Sequence, residues 1–331
     1  MSFNCLERLK EKVKAIKVMY YSNHHRKVVK TRSNKMMFQR WKPLKPHTWQ
    51  HRLFGMYNEE LIRMMRSYTT ASKYSYHKLG EAGAEWESLA KDYFFHTKDN
   101  TFTIRMWSNT FHSFENWTYL NCAMALSSYF ETYLSSVITM ALESDPGAMI
   151  GKPHAVDGME LIKKKKQNKN DINSAAMRCT KGNWTTRTNA MQKLFGKLPD
   201  SMMKNIKMLE DIRIMRNKVG HAFGRDIRKS RELENATKLP MERLSKERFE
   251  KWQKKIDRIV DDMDTFLLNN HIGSFQPLLV YHTLYPSLNQ DKDSCAEAER
   301  AKAFKKKIGG DKQDLYSKDF CRTLVQYYER L

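Results

Sequence analysis

The sequence predicts an all-helical protein, and three observations carry that prediction. Gly and Pro are scarce, 13 and 8 among 331 residues, while runs of helix-forming residues are long. Apolar residues recur at spacings of three and four through much of the chain. Turn and cap signals such as Pro43 and Pro46, Asp145-Pro-Gly147 and Pro199-Asp200-Ser201 fall between those stripes rather than inside them. The length fits one large domain or two ordinary ones and is enough to bury a real core. A hydrophobic fraction of 40% excludes a fully disordered chain.

Taken in order, residues 1–100 form a basic, mostly helical region. Leu9, Val13, Ile16 and Tyr20 keep helical spacing, and a basic loop follows to the break at Pro43 and Pro46. From Lys10 to Lys45 twelve Lys/Arg stand against one acid, Glu11. Tyr20, Tyr21, Phe38 and Trp41 are interleaved with them, a mixture that suits phosphate contacts with base stacking, and equally a solvated helix. Arg26, Lys27, Lys30 and Arg32 are the candidate RNA contacts there. His47 and His51, four apart, can share a helix face, but no nearby Cys or acid completes a metal set, so no metal is expected. Further helix is expected over 52–98, for example Tyr57 to Met65 and Glu81 to Phe95.

Residues 105–143 read as one long helix, unbroken or with a single break, whose broad apolar surface is that of a central helix. Leu120, Met124, Ser127, Glu131, Leu134 and Ile138 form one stripe, and Ala123, Phe130, Tyr133, Val137 and Met140 the adjacent one. Glu131 stands inside this apolar surface, where a carboxylate needs a partner or a proton. Arg216 is the natural partner; a surface gap or any lysine is the alternative. Residues 148–182 are polar and basic and read as a loop or mobile insertion. Lys163, Lys164, Lys165 and Lys166 are a solvated run or a hold on an RNA backbone. Trp184 to Phe195 is a short helix, and Asp200 or Ser201 caps the next one. After Arg225 a polar linker leads to Pro240. Phe249, Trp252, Ile256, Ile259, Met263 and Phe266 then trace an amphipathic helix of about five turns. The tail carries Lys305-Lys306-Lys307, a Gly309-Gly310 turn and a final helix near Asp319 to Leu331.

The formal net charge of +22 favours polyanionic partners, nucleic acid before anionic membrane. Five scattered cysteines without a Cys-x-x-Cys pair fit neither a disulfide framework nor a zinc site, and point to a reducing cytosol. Asn116, Asn183 and Asn235 match the glycosylation tripeptide, but the polar N-terminus is no secretion signal, so the matches read as accidental. No run of about 18 apolar residues is present to span a membrane. No Gly-x-Gly-x-x-Gly or Walker-type loop indicates a nucleotide-driven motor.

The chain is organised around Met208 to Gly224, which contains Arg216-Asn217-Lys218-Val219-Gly220-His221. Met208, Ile212, Met215 and Val219 define one helix face, with Arg216 at its edge. Arg-Asn-x-x-x-His followed by Ala-Phe-Gly resembles the signature of the HEPN superfamily, small all-helical domains of which many are RNA-cutting toxins and antiviral effectors. Phe130-Glu-Thr-Tyr-Leu134 is similar to the family's first long helix, and Asn270 through His282 to its closing helix. The likeness covers roughly 105–283. It leaves 1–100 and the helical extension 284–331 outside.

Cutting RNA through its own 2′-hydroxyl needs a base, a cation for the phosphoryl oxygens and an acid for the leaving 5′ oxygen. Histidine suits the proton transfers and arginine the phosphoryl oxygens. His221 is therefore assigned to proton transfer, Arg216 to phosphate stabilisation, Asn217 to positioning and Glu131 to orienting Arg216. Lys218 within the motif and Arg225 beyond it are candidate RNA contacts. The resemblance implies a metal-independent endoribonuclease without cofactor, leaving 2′,3′-cyclic phosphate and 5′-hydroxyl ends, in a toxin or antiphage setting with an antitoxin or defence partner. Residues five apart on a straight helix point about 140° apart, so either the helix breaks at Gly220 or two copies share a composite site. A homodimer is expected, in keeping with the family. The plainer reading is that Arg216 and Glu131 join two helices and His221 caps one. A non-catalytic RNA- or protein-binding module and a DNA-binding regulator are the other classes; the N-terminal region carries no convincing helix-turn-helix.

Overall fold

A computed structural model describes residues 37–94, 101–222, 224–225, 239–288, 297–311 and 315–331. Every regular element among them is helical, and the only extended pairing is an isolated bridge between Leu89 and Thr103. The elements are α1 (Trp49–Glu81), α2 (Ile104–Ser144), α3 (Gly158–Lys163), α4 (Lys169–Thr180), α5 (Trp184–Phe195), α6 (Asp200–Met203), α7 (Ile206–Ala222), α8 (Lys246–Leu267), α9 (Phe275–Leu288), α10 (Glu297–Asp311) and α11 (Lys318–Arg330). Short side chains start most of the longer helices as the sequence chemistry requires. Thr48, Thr103, Asn168, Asn183, Ser245 and Ser317 each accept a hydrogen bond from a backbone N–H of the first turn of α1, α2, α4, α5, α8 and α11.

The axis of the fold is α2, which runs 41 residues without a break and packs against α1, α3, α4, α7 and α8. Both expected stripes are buried: Leu120, Ala123, Phe130, Tyr133, Leu134, Val137 and Ile138 sit in one continuous core. That core also takes in Phe54 and Leu61 of α1, and Phe304, Ile308, Phe320, Leu324 and Tyr328 of α10 and α11. The N-terminal and C-terminal helices therefore close the same apolar interior as the central ones. No described helix is long and apolar enough to cross a membrane.

Three expectations change. Residues 148–182 are not a loop: α3 and α4 fill most of the stretch, with Ile172, Ala175, Ala176 and Cys179 buried against α2 and α5. The face is one Ile and three small residues at spacings of three, one and three, and Asn168 is the α4 cap, so polarity and Asn content conceal a helix. Second, the helix expected over Glu81 to Phe95 does not form in its described part: α1 ends at Glu81, and residues 82–94 are not α-helical. The chain turns at Gly83, whose φ of 68° lies in the left-handed region, and only Ala90–Asp92 forms a 3₁₀ turn. Third, Gly309-Gly310 is not a turn but the end of α10.

One arginine ties the fold together. Arg40 lies in the segment before α1 and is almost wholly buried. Its Nε donates to Asp157 Oδ1 at 2.9 Å, Nη1 to the Ile272 carbonyl at 2.9 Å, and Nη2 to the Ser144 carbonyl and hydroxyl at 3.0 and 2.8 Å. Its plane lies over Trp41 and near Phe275. Burial lowers its pKa, against which Asp157 acts. Arg40 thus joins the entry to α1, the end of α2, the cap of α3 and the bend before α9.

Candidate functional site

The motif helix α7 runs through Gly220 to Ala222 without breaking. It closes at Gly224, whose φ is 77° and whose N–H donates to the Lys218 carbonyl at 3.0 Å. Leu209, Ile212, Met215 and Val219 form its buried face, as the apolar spacing requires. Arg216 lies on the flank of that face and reaches toward α2. His221 lies about 140° further round and is exposed, on the same outward side as the exposed Ile214. Within one chain, then, α7 separates the two side chains.

Glu131 is where the expectation meets the structure most directly. Its carboxylate is 20% exposed, and Arg216 Nη2 lies 3.6 Å from Oε2. Its closer partner is an arginine of another helix. Arg187 of α5 donates from Nη1 to Glu131 Oε1 at 3.0 Å, and its side chain is only 7% exposed. Its Nε donates to the Gly182 carbonyl at 3.0 Å, and its guanidinium lies over Trp184, which stacks on Phe130. The signal for Arg187 was its place on the buried stripe of α5 with Trp184, Thr188 and Met191. An arginine on one buried stripe and a glutamate on another are natural partners.

Around this pair sits a second one. Arg213 of α7 holds Glu210 through Nη2 at 2.6 Å, and Glu210 Oε2 accepts from the Trp184 backbone N–H at 3.1 Å. The Arg213 hydrogen bond lowers the Glu210 pKa, and Glu210 in turn raises that of Arg213. Three guanidinium groups therefore share two carboxylates. Arg187 is enclosed, whereas Arg216, with 39% of its side chain exposed, has a longer ion pair and an open side. Such a group is anchored and can still bind an anion from solvent.

Asn217 is half-buried beside Arg216. Lys218 pairs with Glu242 at 2.8 Å, and Arg225 donates from Nε to the Leu239 carbonyl at 2.9 Å. Lys163 donates to the Tyr328 carbonyl at 2.7 Å and lies over the Tyr328 ring, so it caps α11. Lys164 pairs with Glu160 at 2.5 Å, while Lys165 and Lys166 are exposed. Among the interleaved aromatics, Phe38 is buried against Phe320 and Tyr327, and Trp41 stacks on His154. The expected helix from Leu9 to Tyr20 and the candidate contacts Arg26, Lys27, Lys30 and Arg32 lie outside the described residues. Compared with known proteins, the chain matches no family model, no curated protein and no solved structure.

Proposed function

We propose that the chain is a HEPN-like endoribonuclease that cuts RNA by attack of its own 2′-hydroxyl, without metal, in a homodimer whose two α7 helices share one cleft. The observation that carries this reading is Arg216: a guanidinium anchored by a half-buried carboxylate yet open to solvent, followed by Asn217 and by an exposed His221 on the same unbroken helix. Arg216 holds the phosphoryl oxygens and offsets the charge that develops on them. His221 moves the protons, the role an imidazole side chain suits in general acid–base catalysis. The angle of about 140° between them is the reason for the second copy: Arg216 of one protomer and His221 of the other meet one phosphate. The net charge of +22 draws in the polyanion. A toxin or antiphage role, with an antitoxin or defence partner, belongs to the same proposal.

A second reading has an observation of its own. Glu131, with Arg187 and Arg216, joins α2, α5 and α7 whether or not RNA is cut. That suits a non-catalytic RNA- or protein-binding module. Incubation of the full chain with tRNA and a long single-stranded RNA in EDTA, beside His221→Ala, separates the two. The nuclease reading expects cutting that leaves cyclic-phosphate ends and vanishes in the variant. Cutting that survives His221→Ala removes His221 from the mechanism. RNA binding without cutting by either protein favours the binding module.

A further inference from the structure

His47 and His51 stand at the entry to α1, and α8 brings two acids to them from more than two hundred residues away. Thr48 is the α1 cap, so His47 precedes the helix and His51 lies in its first turn. The two imidazoles stack with centroids 4.0 Å apart and planes 9° from parallel. Asp261 Oδ1 lies 2.7 Å from His51 Nε2. The Asp264 carboxylate is fully buried and accepts from the Thr48 N–H at 3.0 Å, the Thr48 hydroxyl at 2.5 Å and the Tyr133 hydroxyl at 3.3 Å.

The informative gap is between Asp264 and His47. Oδ2 of Asp264 and Nδ1 of His47 are 3.6 Å apart, too far for a hydrogen bond. That Nδ1 is buried and has no hydrogen-bond partner, although the His47 side chain as a whole is 40% exposed. A buried ring nitrogen without a partner is costly. Two ligand atoms bonded to one zinc-class ion at about 2.0–2.1 Å sit roughly 3.3–3.4 Å apart in a tetrahedral site, close to the gap seen. One nitrogen from each histidine and one Asp264 oxygen lie within 4.8 Å of one another.

From this geometry we infer that His47, His51 and Asp264 form a site for a divalent transition-metal ion of the zinc class. The surroundings are those such ligands need. Asp261 orients the His51 ring, as a carboxylate commonly does for a ligating histidine, and Thr48 with Tyr133 fixes the Asp264 carboxylate. Binding one ion requires the stacked rings to turn so that their in-plane lone pairs converge beside Asp264, and the exposed side of His47 leaves room for that turn and for water. The ion clasps the segment before α1 to α8. It is separate from the RNA-cutting chemistry proposed for α7, and its test does not depend on that reading.

The test is direct titration of the full chain, stripped with EDTA, with Co²⁺ and then with Zn²⁺. The inference expects one equivalent of Co²⁺ with a visible d–d band, displacement by Zn²⁺, and a rise in melting temperature on Zn²⁺ addition. His47→Ala, with its fold checked by circular dichroism, should lose at least tenfold in affinity together with the thermal shift. His77→Ala and the pair His24→Ala with His25→Ala should bind as the parent does. Absence of stoichiometric uptake by the parent chain, or equal uptake by a folded His47→Ala, would overturn the site. Because the parent titration stands alone, a variant that failed to fold would not rescue the idea.

Discussion

Gly158 shows how much one hydrogen atom can decide. It is the first residue of α3, directly after the cap Asp157, and it lies under the last turn of α2. A Cβ there would stand 1.6 Å from the Glu143 carbonyl oxygen and 2.9 Å from that of Ser144, both backbone atoms. Neither can rotate away, so α3 would have to separate from α2 and pull Asp157 from Arg40 and Tyr327. Gly158→Ala is expected to cost about 3 kcal/mol or more, the range of overpacked core positions. Gly220→Ala is the contrast. Nothing lies within 4 Å of a Cβ at Gly220, which is exposed inside α7, so alanine should raise stability by up to about 1 kcal/mol through helix propensity. Urea midpoints of the two variants, measured together, check both signs. If Gly220→Ala is more stable and keeps the parent's activity, α7 needs no bend at that glycine.

At the scale of elements, the arginines around Glu131 should separate into a structural one and a functional one. Arg187 is buried and hydrogen-bonded, and removing it leaves Glu131 enclosed with only the longer pair to Arg216. Arg187→Ala should therefore cost about 3 kcal/mol in unfolding free energy. Arg216→Ala removes an exposed partner and should cost less than about 1 kcal/mol, while abolishing any RNA cutting. Denaturation curves and a cutting assay on the same two preparations decide it, and the reverse ranking would make Arg216 the structural residue. This pairing also marks how far the sequence is legible. The long apolar stripes of α2, α7 and α8 read directly because large residues recur at helical spacing, and Glu131 drew attention as the charge inside one of them. Arg187 did not, because Trp184, Thr188 and Met191 make a short and mixed stripe in which an arginine looks ordinary. α4 is hard to read in the sequence for a related reason: its buried face is Ala, Ala and Cys with one Ile. The acids that face His47 and His51 come from α8, a juxtaposition that local spacing cannot reveal. Arg40 reads as one more cation in a basic run until the fold encloses it.

For the whole molecule, the geometry of α7 turns the proposed activity into a question of stoichiometry. A single chain holds Arg216 and His221 on sides of the helix about 140° apart, and α7 continues past Gly220, so no bend there brings them together. A two-fold arrangement resolves this by letting each cleft draw Arg216 from one protomer and His221 from the other. Arg216→Ala and His221→Ala are each expected to be inactive alone. Mixed in equal amounts and allowed to exchange subunits, half of the dimers carry one of each. Such a dimer has one cleft with both substitutions and one with neither. The mixture should recover about a quarter of the parent's cutting, since half of the dimers hold one of two clefts intact. A site built within one chain has no such outcome, because every protomer in the mixture lacks one of the two groups. Recovery on mixing therefore reports shared chemistry, whereas a mixture as inactive as its parts would place Arg216 and His221 in separate roles and leave the joining of α2, α5 and α7 as the reason Glu131 and Arg216 meet.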